Sequence, residues 1–114
     1  MAEIKRWMGI PAGSKIQVKI TDDGDVGYGM VTIYDAPGDD QDFTWKGKVT
    51  FEYELKAGRT TIFSALMFWT TGSVTFRATL IRDDGQQQPG SPFEVKVIGE
   101  EGEYQAIKVR IDAT

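Results

Sequence analysis

Residues 60–69 read Thr-Thr-Ile-Phe-Ser-Ala-Leu-Met-Phe-Trp, a nearly unbroken apolar run with no charge, glycine or proline. A segment this apolar has to be buried, so the rest of the fold must be arranged around it. It is too short to cross a bilayer as a helix, which takes about 20 residues. Gly58 precedes it and Thr70, Thr71 and Gly72 follow, so turn chemistry brackets it on both sides. The run therefore predicts a central strand buried on both faces. A short buried helix is the competing reading, and the length of the run disfavours it.

The flanking segments alternate with the period of two that marks half-buried strands. In residues 14–21, Ile16, Val18 and Ile20 face one way and Lys15, Gln17 and Lys19 the other. Val49, Phe51, Tyr53 and Leu55 alternate with Lys48, Thr50, Glu52, Glu54 and Lys56. Val74, Phe76, Ala78 and Leu80 alternate with Thr75, Arg77 and Thr79. Phe93, Val95 and Val97 form a shorter run, and Ile107, Val109 and Ile111 alternate with Lys108 and Arg110. Residues 30–34 read as a further strand, 4–8 as a short leading strand or arm, and 43–45 as a few extended residues. Gln105 and Ala106 break the alternation from Tyr104, which predicts a bulge.

No segment keeps a 3.6-residue period, and no repeat of solenoid length is present. Strands punctuated by Asp-Gly and Gly-rich turns predict one all-β domain over residues 1–114. The expected fold is an antiparallel β-sandwich, immunoglobulin-like or jelly-roll-like, of about seven to eight strands. Its core should hold Ile16, Val18, Ile20, Phe51, Tyr53, Phe63, Leu66, Phe76, Leu80, Val95 and Val109.

Pro89-Gly90-Ser91-Pro92-Phe93-Glu94-Val95-Lys96-Val97 resembles the last-strand motif of filamin-type immunoglobulin-like repeats. The preceding strand and polar turn over residues 75–84 fit the same arrangement. The resemblance implies an immunoglobulin-like sandwich and carries no partner or binding site with it. The chain departs from the pattern by continuing through one more strand.

Composition excludes several functions. With 114 residues and no cysteine, the chain has room for a core but no disulfide framework, thiol nucleophile or thiolate metal site. The missing cysteine fits a reducing, cytoplasm-like compartment, and no export signal opens the chain as given. Histidine is also absent, which removes the commonest general base and transition-metal ligand. No phosphate loop, Ser-x-x-Lys or His-Glu-x-x-His is present. The expectation is a protein without catalytic residues. A net charge of −4 disfavours nucleic acid, whose phosphates call for basic surfaces.

Strand direction offers two candidate sites. Counting seven strands by alternation, loops 22–29, 57–59 and 83–92 share one end of the sandwich, and 35–47, 70–72 and 99–103 the other. The count holds only if residues 43–45 are not a full strand. At the first end Asp22, Asp23, Asp25, Asp83 and Asp84 would gather oxygens of the kind calcium takes, although the spacing is not that of an EF-hand. Ordinary Asp-Gly turns with solvated carboxylates are the favoured reading of the same residues. At the second end Trp45 and Trp69 would meet Asp35, Asp42 and Tyr104, flat apolar rings beside directional acceptors, which suits a sugar. The competing reading has both tryptophans capping the core.

Lys15, Lys19, Lys108 and Arg110 place basic residues on the polar faces of the first and last strong strands. Two readings fit: protection of sheet edges, or a basic functional stripe. The overall expectation is a non-catalytic interaction or assembly module, binding a protein partner or a second copy through a sheet face or edge. The apolar residues of both parities in the central run point to a face that a partner covers. The alternative is a lectin-like carbohydrate-binding module using the loop aromatics and carboxylates.

Overall fold

The computed structural model describes the backbone of residues 2–24, 26–36, 41–46 and 48–114. It describes their side chains except at 2–3, 35–36, 41–43 and 45–46. Among the described residues there are nine strands and no helix. In chain order they are β1 (Ala2–Ile10), β2 (Lys15–Asp22), β3 (Gly27–Ala36), β4 (Gln41–Lys46), β5 (Lys48–Glu54), β6 (Gly58–Phe68), β7 (Gly72–Ile81), β8 (Phe93–Gly99) and β9 (Tyr104–Ala113).

Two sheets share one core. The five-stranded sheet has the order β1-β9-β6-β3-β4, and the four-stranded sheet β5-β2-β7-β8. All pairings are antiparallel except β1 with β9, which is parallel. At the open sides β4 touches β5 and β8 touches β9, so the chain folds over from one sheet to the other. Strands β3-β4-β5 with β2 beside β5 make one Greek key. Strands β7-β8-β9 with β6 beside β9 make the second. Advancing every strand by four positions, cyclically over β2–β9, turns one sheet's order into the other's, a topological two-fold without a sequence repeat.

The alternation read from sequence sets the core. Ile16, Val18 and Ile20 of β2, Phe76, Ala78 and Leu80 of β7, Ile62, Leu66 and Phe68 of β6, and Ile107, Val109 and Ile111 of β9 are all buried between the sheets. Phe51, Tyr53 and Val95 are only partly buried and pack on its rim, because β5 and β8 are edge strands. The ring of Phe68 leaves no room beside it: a Cβ on Gly99 would lie 2.4 Å from it, so that position on β8 admits only glycine without a shift.

Two expectations are corrected. Strand β6 is central, but it is not buried on both faces: its outward residues, Phe63 among them, are half-buried because no layer covers that side. Residues 105 and 106 hold a continuous register with Leu66 and Ala65, so β9 has no bulge there. The irregularity lies instead in β1, between Trp7 and Ile10, where Gly9 adopts a positive φ of 67°. The segment that resembles a last strand is followed by one more strand, as expected, and forms the edge of the four-stranded sheet.

Candidate functional site

Strand β4 is a full strand, and it reverses the direction of everything after it. The upper end of the sandwich, where β2 finishes, brings together residues 23, 24, 26, 68–73 and 100–103. Asp23 N–H donates to the Ser73 carbonyl (3.0 Å), Trp69 N–H to Val26 (3.0 Å) and Gly102 N–H to Phe68 (2.8 Å). The lower end joins residues 12–14, 55 and the C-terminus: Gly13 N–H donates to Leu55 (2.8 Å) and Ala12 N–H to Thr114 (3.1 Å).

This separates the carboxylates grouped as a calcium site. Asp22 is opposite Val74, whereas Asp83 and Asp84 follow Ile81, which is opposite Lys15. Seven residues of extended β2, about 23 Å, lie between them. Asp25 lies outside the described residues. Among the described residues no group of three or more His, Cys, Asp or Glu is placed to hold a metal. Asp23 has a structural partner instead: Ser73 Oγ–H donates to its Oδ2 at 2.8 Å. That bond, with the backbone bond from Ser73, holds the Asp23 carboxyl below its ordinary pKa. Asp22 Oδ2 is buried with no hydrogen-bond partner among the described residues.

The proposed sugar-binding set is also spread out. Trp69 and Tyr104 are at the upper end, and Trp45 sits opposite Gly29 in the same third of the sheet. Asp42 is opposite Thr32, halfway down, and Asp35 is opposite Thr60, near the lower end of β6. The side chains of Trp45, Asp42 and Asp35 are outside the described residues. Trp69 pairs with a residue absent from the set, Tyr28, their rings 5.3 Å apart and tilted by 31°.

The basic residues do not form one stripe, nor do they guard edges. Strands β2 and β9 are interior to their sheets. Lys15 and Lys19 face outward from the four-stranded sheet, Lys108 and Arg110 from the five-stranded one, on opposite sides of the molecule.

Those two outer faces differ in chemistry. The four-stranded face is polar, with Lys15 paired to Glu52 (3.7 Å) and Arg77 to Glu94 (3.9 Å). Its large exposed apolar residue is Ile98, on the edge strand. The five-stranded face instead carries Tyr28, Met30 and Tyr34 from β3, Phe63, Ala65 and Met67 from β6, and Tyr104 and Ala106 from β9. Tyr28, Met30, Tyr34 and Tyr104 are each 42–55% exposed.

Two depressions lie along β6 on this face. The upper, about 390 Å³, is walled by Tyr28, Met30, Met67 and Tyr104 and floored by Gly29 and Ala65. The lower, about 340 Å³, is lined by Tyr34, Thr61, Phe63, Lys108 and Arg110. The sequence carried a signal for the first wall, since Tyr28, Met30, Thr32 and Tyr34 alternate. The glycines at 24, 27 and 29 disguised it as loop.

Comparisons with protein-family models, with curated proteins and with solved structures find no match. Among the described residues no helix is long and apolar enough to cross a membrane.

Proposed function

We propose that this chain is a non-catalytic interaction module that docks a protein partner on the outer face of its five-stranded sheet. The observation that carries this reading is the contrast between the faces. A sheet facing only water alternates apolar-in and polar-out, as the four-stranded sheet does. The five-stranded sheet departs from that rule over three adjacent strands, and a contiguous exposed apolar patch of this kind marks an interaction surface. Its tyrosines and methionines are of the types that interfaces favour.

A photo-crosslinking side chain placed at Ala65, inside the patch, should capture a discrete protein adduct in the cells that make this chain. The same group at Gln17, on the polar face, should capture none. Equal labelling from both positions would defeat the proposal. Size-exclusion chromatography with light scattering tells a second copy from a different partner. The Tyr28–Trp69 ring pair supports a second reading, a sugar held against the upper end. Binding on a glycan array that Tyr28→Ala removes would favour that reading.

A further inference from the structure

We infer that this face receives an acidic, extended peptide segment of the partner laid along β6, with a carboxylate seated between Lys108 and Arg110 in the lower depression and an apolar side chain in the upper one. The inference rests on the interaction reading above and specifies the partner's chemistry.

Charge is the first argument. Three outward cations are neutralised within the fold, Lys15 by Glu52, Arg77 by Glu94, and Arg59 by Asp112 at 3.2 Å, whereas Lys19 and Lys96 on the other face lack an ion-pair partner among the described residues. The depression between Lys19, Arg77 and Glu94 is lined by polar side chains rather than apolar ones. Neither Lys108 nor Arg110 has an ion-pair partner among the described residues. Arg110 is moreover the register partner of Arg6 on β1, and like charges on neighbouring strands are unfavourable unless an anion lies between them. The Nε of Arg110 is buried with no acceptor among the described residues, so an anion on this face meets the guanidinium through its terminal N–H groups. A carboxylate matches that planar fork.

Shape is the second. Tyr34 and Phe63 flank the cations, so an anion bound here is presented on an apolar bed. The two depressions follow the outward residues Thr61, Phe63, Ala65 and Met67 of one strand. Their middles are four residues apart along β6, about 13 Å. An extended peptide laid along β6 would therefore place an acidic residue about four positions from an apolar one. A second copy in an isologous dimer fits less well, because the aromatic upper half offers Lys108 and Arg110 no carboxylate among the lining residues. A long polyanion would meet the rest of a molecule of net charge −4, whereas a short acidic segment touches only the cationic strip.

The test is selection of a random extended-peptide library on the intact chain. The expected winners carry Asp or Glu about four residues from Leu, Ile or Phe. Their binding should weaken with salt and fall about tenfold or more in the double variant Lys108→Glu, Arg110→Glu. Lys19→Glu, on the opposite face, controls for net charge and should leave binding intact. Uncharged or basic winners, or acidic ones indifferent to the double variant, would overturn the inference. So would an empty selection, or an oligothymidylate that binds through Lys108 and Arg110 where peptides do not. Selected peptides that need Ala65 but not the two cations would leave the interaction face standing and remove only its acidic specificity.

Discussion

At the scale of single residues, burial decides what each aromatic side chain contributes. Phe76 is fully buried in β7 and touches the ring of Phe93, centroids 6.4 Å apart. Phe76→Ala should cost about 3–5 kcal/mol, because the lost transfer energy is joined by a cavity that packed neighbours cannot collapse. Phe51 sits on the rim of the same core and is half-buried. Its truncation should cost distinctly less, and urea denaturation of the two variants checks the order. Asp23 sets a pH dependence. Its carboxyl is held below the ordinary value by Ser73, so the folded state binds its proton less readily than the unfolded chain. The stability this adds is present above the ordinary carboxylate pKa and is lost as pH falls below it. Asp23→Asn should therefore shallow the decline of melting temperature on acidification, while leaving its slope near neutrality unchanged.

At the scale of elements, strands with one covered face were legible, and strands needing tertiary information were not. β2 and β7 alternate cleanly because one side meets the core and the other meets water, so pattern and burial coincide residue by residue. β6 departs from the pattern, with apolar residues on both sides and its outward ones half-buried. The sequence does not say whether the second side meets the fold or a partner, so pattern alone places Phe63 in the core. β4 was the costly omission. It is six residues long, and its first residues read as acidic loop. Since each antiparallel strand reverses direction, one missed strand moved every later loop to the opposite end. That single error assembled both candidate sites from residues the fold keeps apart: Asp22 from Asp83, and Asp35 from Trp69. The residues facing outward from β3, β6 and β9 were legible as strand positions. Their assembly into one face depends on the order β9-β6-β3, which joins strands distant in sequence and leaves no local signal.

At the scale of the whole molecule, fold and proposed function occupy opposite sides of the same three strands. Leu66 and Met67 are neighbours in β6, yet Leu66 is fully buried in the core while Met67 lines the upper pocket. Stability and partner binding should therefore separate under substitution. Met30→Lys and Tyr104→Lys remove apolar surface that water already reaches in the free chain, 42% and 55% exposed respectively. Each should change stability by no more than about 0.5 kcal/mol, as is usual for surface positions. Both should abolish the adduct formed from position 65, because a lysine driven into an apolar interface loses its hydration without gaining a partner. Leu66→Lys is the contrasting variant: it buries an unpaired ammonium between the sheets and should prevent folding. Circular dichroism and thermal melts on the three proteins, run beside the crosslinking, separate the outcomes. If Met30→Lys and Tyr104→Lys melt far below the parent, the outer face belongs to the core's stability rather than to a partner. If they melt with the parent and still crosslink, the partner sits elsewhere on the molecule.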